Sequence, residues 1–412
     1  YAVRLLASFL NGDIRSQKFH LWSGSGGNGK SKYIELFEKT LGDYCITFPS
    51  SLLTKTRASA ESANPHLAAA KGKRFAVLQE PEKGEKLNIT LLGLGLRPQE
   101  NNEKVPWMPK SRYKIMKNYM PKKGSNGLDM MLSTCTVQAN LDYSDEQDMK
   151  LKTLLSVKIQ PIITALFANS PLSLGKPNGF LSKRRYIWMN TDPDRCGVLK
   201  VAFDDDFGFS KYVDYALSVP MYFVKRDNKY IDCSGSSFKD FMSGKLKELP
   251  NIIPTLSDWE DHLSTIFTEV RLKQFIEVRG ADAGNWRRTC ALPAFWVGVL
   301  YEDEVLHKAL DICKNWNYEE VKKLSFDVAK DGLNAKIHRN TVNEIALELI
   351  NLAKEGLKKR NIKDCNGKNE AYFLKVLEDI TIKEKTPAEQ ILENLEHDWK
   401  GDITELIKKM SY

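Results

Sequence analysis

No Cys-x-x-Cys pair occurs in the chain, and its seven cysteines stand apart at positions 45, 135, 196, 233, 290, 313 and 365. An odd, dispersed set argues against a zinc ribbon and for a reducing compartment. No run of about 18 apolar residues is present, so no membrane span is expected. The first residue is Tyr1 rather than Met, and no charged-then-apolar secretory segment follows it. The chain therefore reads as a fragment, or as a product whose start is missing, and the cytoplasm is the expected compartment. A strong charge of one sign is also lacking. The net charge is +8, but residues 1–90 hold 13 Lys and Arg against 8 Asp and Glu, which leaves 48 against 45 for the rest. The larger part carries no nucleic-acid footprint. At 412 residues, 42% hydrophobic and 28% charged, two or three ordinary domains with sizeable cores are expected.

The front is dominated by "LWSGSGGNGKSKYIELFEKTLG", residues 21 to 42. Phe19 to Trp22 reads as a short strand. Gly24 to Ser31 then fits G-x-x-x-x-G-K-S at every fixed position, with Gly29, Lys30 and Ser31 closing it. Glycines let backbone N–H groups converge on phosphate oxygens, Lys30 reaches the terminal phosphates, and the Ser31 hydroxyl can ligate magnesium. Ile34, Phe37 and Leu41 follow at helical spacing, with Gly42 as the stop. Further on, Arg74 to Gln79 is a mostly apolar strand ending in Glu80, with Glu82 close behind. A carboxylate there could hold magnesium or activate water, and an exposed strand end would look similar. Together with "ANPHLAAAKGKR", these stretches make residues 1–90 resemble the superfamily 3 helicases of viral primase-helicases. The resemblance implies a partial P-loop α/β segment, nucleotide at Gly24, Gly29, Lys30, Ser31 and Glu80, and nucleic acid through this segment alone. Nothing after "EKLN" supplies the asparagine sensor, arginine finger or DNA-contacting loops of that family.

Beyond residue 90 polar residues fall on alternate positions of long strands. In "STCTVQANLD", Thr134, Thr136, Gln138, Asn140 and Asp142 share one face, and Cys135, Val137, Ala139 and Leu141 the other. Neutral amides and hydroxyls suit a pocket for a small polar substrate, and equally a solvated face. In "RLKQFIEVRG", Phe275, Glu277 and Arg279 share a face opposite Ile276 and Val278. An acid and an arginine side by side can serve magnesium and a transferring phosphoryl group, or form a cross-strand ion pair. "GKPNGFLSKRRYIW" sets Arg184 and Arg185 beside a Gly/Pro/Asn loop, as an anion-binding loop or a basic surface loop.

These stretches, with "KNYMPKKGSNGLDMM" and "WRRTCALPAFWVGVLYEDEV", closely resemble the plant and proteobacterial type of glutamate-cysteine ligase from about residue 91 to the end. The resemblance implies an α+β fold: a glutamine-synthetase-like curved antiparallel sheet with helices, incomplete at its start. It implies ATP-dependent joining of L-glutamate and L-cysteine to γ-glutamylcysteine through a γ-glutamyl phosphate, the first step of glutathione synthesis, with Mg2+ and ATP. Carried over by motif, Glu277 is a magnesium ligand and Arg279 faces the transferred phosphate. Gln138, Thr136 and Asn140 line the glutamate pocket, and Arg184 meets a substrate carboxylate. A plant-like member implies a plastid as the alternative compartment. No oligomeric state is implied.

The family's first strands carry a Gly-x-Glu-x-Glu motif and further magnesium-binding glutamates, which have no counterpart here. Little or no ligase activity from this chain alone is therefore the expectation, since one lost charge contact costs about 3 to 4 kcal/mol. Plant members also use disulfides. Cys233 and Cys290 match, but Glu248 stands where the partner of Cys233 belongs, so no thiol switch is expected. A nucleic-acid-stimulated ATPase, and two truncated genes joined near Asn88 to Leu92, are the other readings. At the tail, Thr386, Pro387 and Glu389 form a helix start with a capping box.

Overall fold

The computed structural model describes residues 30–48, 75–78, 92–99, 102–108, 111–227, 229–364 and 367–410. It divides into two compact units, Tyr1–Leu91 and Leu92–Tyr412. In the first, α1 (Lys30–Leu41) opens with the lysine and serine of the glycine-rich loop. Phe37 and Leu41, one turn apart, are buried, and Gly42 ends the helix with φ +50°. β1 (Cys45–Phe48) and β2 (Phe75–Leu78) pair in parallel, Cys45 opposite Phe75, and parallel pairing requires a crossover between them. β2 lies within the expected strand at Arg74 to Gln79, whereas β1 was not foreseen. The strand expected at Phe19 to Trp22, together with Gly24, Gly29, Glu80 and Glu82, lies outside the described residues.

The second unit is a mixture of helices and short strands, consistent with an α+β fold. Its elements include β3 (Ala139–Leu141), α2 (Glu146–Leu166), α3 (Lys183–Met189), β4 (Val270–Leu272), β5 (Ile276–Val278), α4 (Trp286–Leu300), α5 (Tyr318–Asp331), α6 (Val342–Arg360) and α7 (Pro387–His397). Every residue of α2 from Leu155 to Leu166 is buried. A helix without a wet face belongs at the centre of a core. α4 and α6 cross at two glycines: a Cβ on Gly356 would collide with the carbonyl oxygen of Gly298, and one on Gly298 with that of Ala353. Only residues without side chains permit that approach.

β4, β5 and β3 form, in that order, an antiparallel three-stranded sheet. Val270 pairs with Val278, Arg271 with Glu277 and Leu272 with Ile276; Glu277 pairs in turn with Asn140, and Val278 with Ala139. Alternation sends Val270, Leu272, Ile276, Val278, Ala139 and Leu141 into the main core with Leu155, Ile159 and Phe295. The charged residues are left on the opposite face.

These strands are much shorter than the long ones expected, three residues each. Thr134 and Thr136 make only isolated bridges, to Leu96 and Asp282. The register gives the reason. Val278 lies opposite Ala139 and Asp282 opposite Thr136, so one strand fits an extra residue between those pairs. Such a β-bulge interrupts the ladder and re-aims the side chains beside it.

At the tail, Thr386 caps α7 with the complete capping box to Glu389. No helix among the described residues is long and apolar enough to cross a membrane.

Candidate active site

The chain from β4 to β5 is a hairpin whose turn is closed by the Lys273 amide donating to the Phe275 carbonyl at 2.8 Å. Because Leu272 and Ile276 point into the core, Arg271, Lys273, Phe275, Glu277 and Arg279 share the other face. Glu277 is the hub of that face. Its Oε2 accepts from Arg271 Nε at 2.6 Å, from Arg271 Nη2 at 2.5 Å and from Arg279 Nη1 at 3.1 Å. Arg271 Nη1 donates to the Ile266 carbonyl at 3.0 Å. Burial alone would push the Glu277 carboxyl up, but the charges of Arg271, Arg279 and Lys273 outweigh it and hold it below the ordinary range. Burial, then Arg271, brings Arg279 down to about 10 despite Glu277.

The bulge that follows Arg279 is tied on every side. Thr136 Oγ1 lies 2.7 Å from the Ala281 carbonyl and 3.1 Å from that of Arg279. Arg184, at the start of α3, donates Nη2 to the Arg279 carbonyl at 2.8 Å and Nη1 to that of Gly280 at 3.3 Å. Thr164 Oγ1, on α2, donates to Gly280 at 3.2 Å. Gly280 packs against Gln160 so closely that a Cβ would overlap the amide. Beyond the bulge, Asp282 is fully buried and accepts from Ser170 Oγ at 2.7 Å, Ser182 Oγ at 2.9 Å and the Asn169 amide at 2.9 Å. The Trp188 ring lies near both guanidinium groups, its centroid 5.7 Å from Arg184 and 5.5 Å from Arg279.

The structure thus brings Glu277, Arg279 and Asn140 to one sheet face, with Asn140 exposed on the edge strand and Gln138 exposed just before it. Two of the expected roles find different geometry. Thr136 turns its hydroxyl to backbone carbonyls, and Arg184, 3% exposed, spends its guanidinium on the bulge. Of the phosphate-loop residues, Lys30 and Ser31 are the first two of α1. Magnesium requires about six oxygen ligands in a tight octahedron. No group of three or more acidic, histidine or cysteine side chains converges among the described residues, and Glu277 Oε2 is taken by two arginines. The described residues do not by themselves fit the ion.

Residues 66–409 match the model of the glutamate-cysteine ligase family 2. The chain belongs to that family. The match begins inside the first unit, upstream of residue 91, where the ligase resemblance was expected to start. Among relatives, glutamate–cysteine ligase B, chloroplastic, of Oryza sativa subsp. japonica is 50% identical over 329 residues, 80% of this chain and 65% of that protein. The chloroplastic glutamate–cysteine ligases of Medicago truncatula and Arabidopsis thaliana are each 50% identical over 328 residues, 80% of this chain and 63% and 62% of their own lengths. The chain thus spans just under two thirds of the length of these relatives.

Within this ligase-family chain the six described cysteines are free. Cys233 is buried, and burial, with the neighbouring Glu248 carboxylate, pushes its thiol up to about 12. Arg271 and Asp282 were missed as site residues. Arg271 left a signal, being as far before Gln274 as Glu277 is after it, which is how hairpin partners are spaced. Asp282 left none, because its partners come from residues 169, 170 and 182.

Proposed function

We propose that this chain carries the chemistry of ATP-dependent γ-glutamylcysteine synthesis, the first step of glutathione formation. The observation that carries the reading is the 50% identity over 329 residues to a protein named as a glutamate–cysteine ligase. In the proposed reaction an oxygen of the glutamate γ-carboxylate attacks the terminal phosphorus of ATP, and ADP leaves. The cysteine amine then attacks the acyl phosphate carbon; phosphate departs with the bonding pair and the nitrogen gives up a proton. Protein catalysis of phosphoryl transfer is mostly positioning and charge stabilisation. We assign Arg279 to the transferring phosphoryl group, Glu277 to fixing Arg279, and Gln138 and Asn140 to glutamate. Thr136 and Arg184 act at one remove, holding the bulge that aims Arg279. We read the fold as a glutamine-synthetase-like sheet whose inner face is the Arg271, Glu277 and Asn140 row. The chloroplastic naming of the relatives supports a plastid over the cytoplasm.

The test is ADP release from the whole chain supplied with ATP, magnesium and glutamate, with and without cysteine. Release that needs both amino acids and falls about a hundredfold in Glu277→Gln supports the reading. Release indifferent to the amino acids sinks it. A second reading concerns residues 1–90 as a helicase-like phosphate-binding segment, domain-like in its own right. Its support is a helix that starts at Lys30 and Ser31 and the parallel β1 and β2 pair. It predicts single-stranded DNA-stimulated ADP release lost in Lys30→Ala, and no stimulation would reject it.

A further inference from the structure

The charges on the hairpin face do not balance. Arg271 and Glu277 neutralise one another through two contacts to the same oxygen. Arg279 gives only Nη1 to that carboxylate, and its Nε and Nη2 make no hydrogen bond among the described residues. Lys273, on the same face and half-buried, forms no ion pair among them; its Nζ rests 5.4 Å from the Phe275 ring centroid. The nearby acids are committed elsewhere. Glu269 is paired with the buried Arg185, and Asp282 is held by Ser170, Ser182 and Asn169. Two cations with unused donors therefore face the same way beside an already neutral pair. Holding such charges partly out of water is costly unless an anion joins them.

Their spacing describes that anion. Counted by register, Lys273 and Arg279 lie four positions apart, two to each side of the Arg271 and Glu277 pair. At about 3.3 Å per residue, this is a separation of about 13 Å along the strands. Two flexible side chains reaching inward from there suit an extended anion with two charged groups better than a single small one. We propose that Lys273 and Arg279 together hold an anion bearing two separated phosphate or carboxylate groups, bridging the Arg271–Glu277 pair, with Lys273 a binding residue of the site. This rests on the ligase reading for its substrates, ATP and glutamate, and both have that chemistry.

Titration calorimetry of the whole chain with inorganic tripolyphosphate, ATP and L-glutamate in turn, at constant ionic strength, tests it. Lys273→Met is expected to weaken one class about tenfold or more, and Lys273→Arg to restore most of the loss. Loss for ATP and tripolyphosphate names the phosphate chain, and loss for glutamate alone names the carboxylates. Equal affinity of wild type and Lys273→Met for all three overturns the proposal, as does a loss that Lys273→Arg leaves in full. Because binding is read without turnover, ADP release indifferent to both amino acids would remove the ligase reading and leave the anion site to be decided by the calorimetry.

Discussion

Arg271 lies directly opposite Glu277 in the hairpin and brings both Nε and Nη2 to one carboxylate oxygen, at 2.6 and 2.5 Å. Both residues are buried, so neither charge has much water to fall back on. Removing one partner of a buried pair strands the other, at a cost of about 3 to 5 kcal/mol. Arg271→Met leaves Arg279 on Glu277 and belongs at the lower end. Glu277→Gln leaves two guanidinium groups around a neutral amide and belongs higher. Urea unfolding followed by tryptophan fluorescence checks this order, and a loss below about 1 kcal/mol in both variants would contradict it.

Gly298 and Gly356 make a prediction of opposite character, with no charge involved. A Cβ on Gly356 would overlap the Gly298 carbonyl, and backbone cannot move aside as a side-chain tip can. Gly356→Ala is therefore expected to destabilise by at least about 1 to 3 kcal/mol, although alanine is the better helix former by about 1 kcal/mol. A stability gain in the same urea assay would show that the two helices can separate freely.

Cys233 is expected to be chemically inert. Burial pushes its thiol up to about 12, whereas the thiolate is the reactive form. At about pH 8, 5,5′-dithiobis(2-nitrobenzoate) should leave it unmodified until denaturant is added. Peptide mapping of the labelled protein identifies the site, and rapid native labelling at Cys233 would refute the assignment.

How much of this was legible in the sequence depended on range. The α7 start was readable because Thr386 and Glu389 cap each other within a single turn, with Pro387 at the first helical position. The α1 face was readable from the spacing of Phe37 and Leu41. The alternation placing Glu277 and Arg279 opposite Ile276 and Val278 was also correct, since period two is a local property. Strand lengths were misjudged because the bulge beside Arg279 is set by Thr136, Arg184 and Thr164, which no local pattern joins. The carbonyl partners of Arg184 were hidden for the same reason: a basic residue after a glycine loop reads as an anion ligand, and its bonds to the Arg279 and Gly280 carbonyls join residues about 95 apart.

His262 gives the remaining prediction. It lies in the helix Leu256–Leu263, buried, with Nε2 2.9 Å from the Ala216 carbonyl and its ring 4.8 Å from that of Phe238. Facing a carbonyl, Nε2 must carry the proton of the neutral ring. Burial, reinforced by Arg195 and opposed by the Ala216 bond, lowers its pKa from 6.5 to about 4. The unfolded chain thus takes up this proton before the folded one does. The full stability is present above about pH 6.5, declines as pH falls from there to about 4, and loses nothing more from this group below that. At about 1.4 kcal/mol per pH unit, the loss across that window is about 3 kcal/mol. Urea midpoints measured from about pH 7 to about pH 4 should show that decline in the wild type and a shallower one in His262→Gln, which has no proton to gain. Equal slopes in the two proteins would mean that His262 is already charged in the folded state.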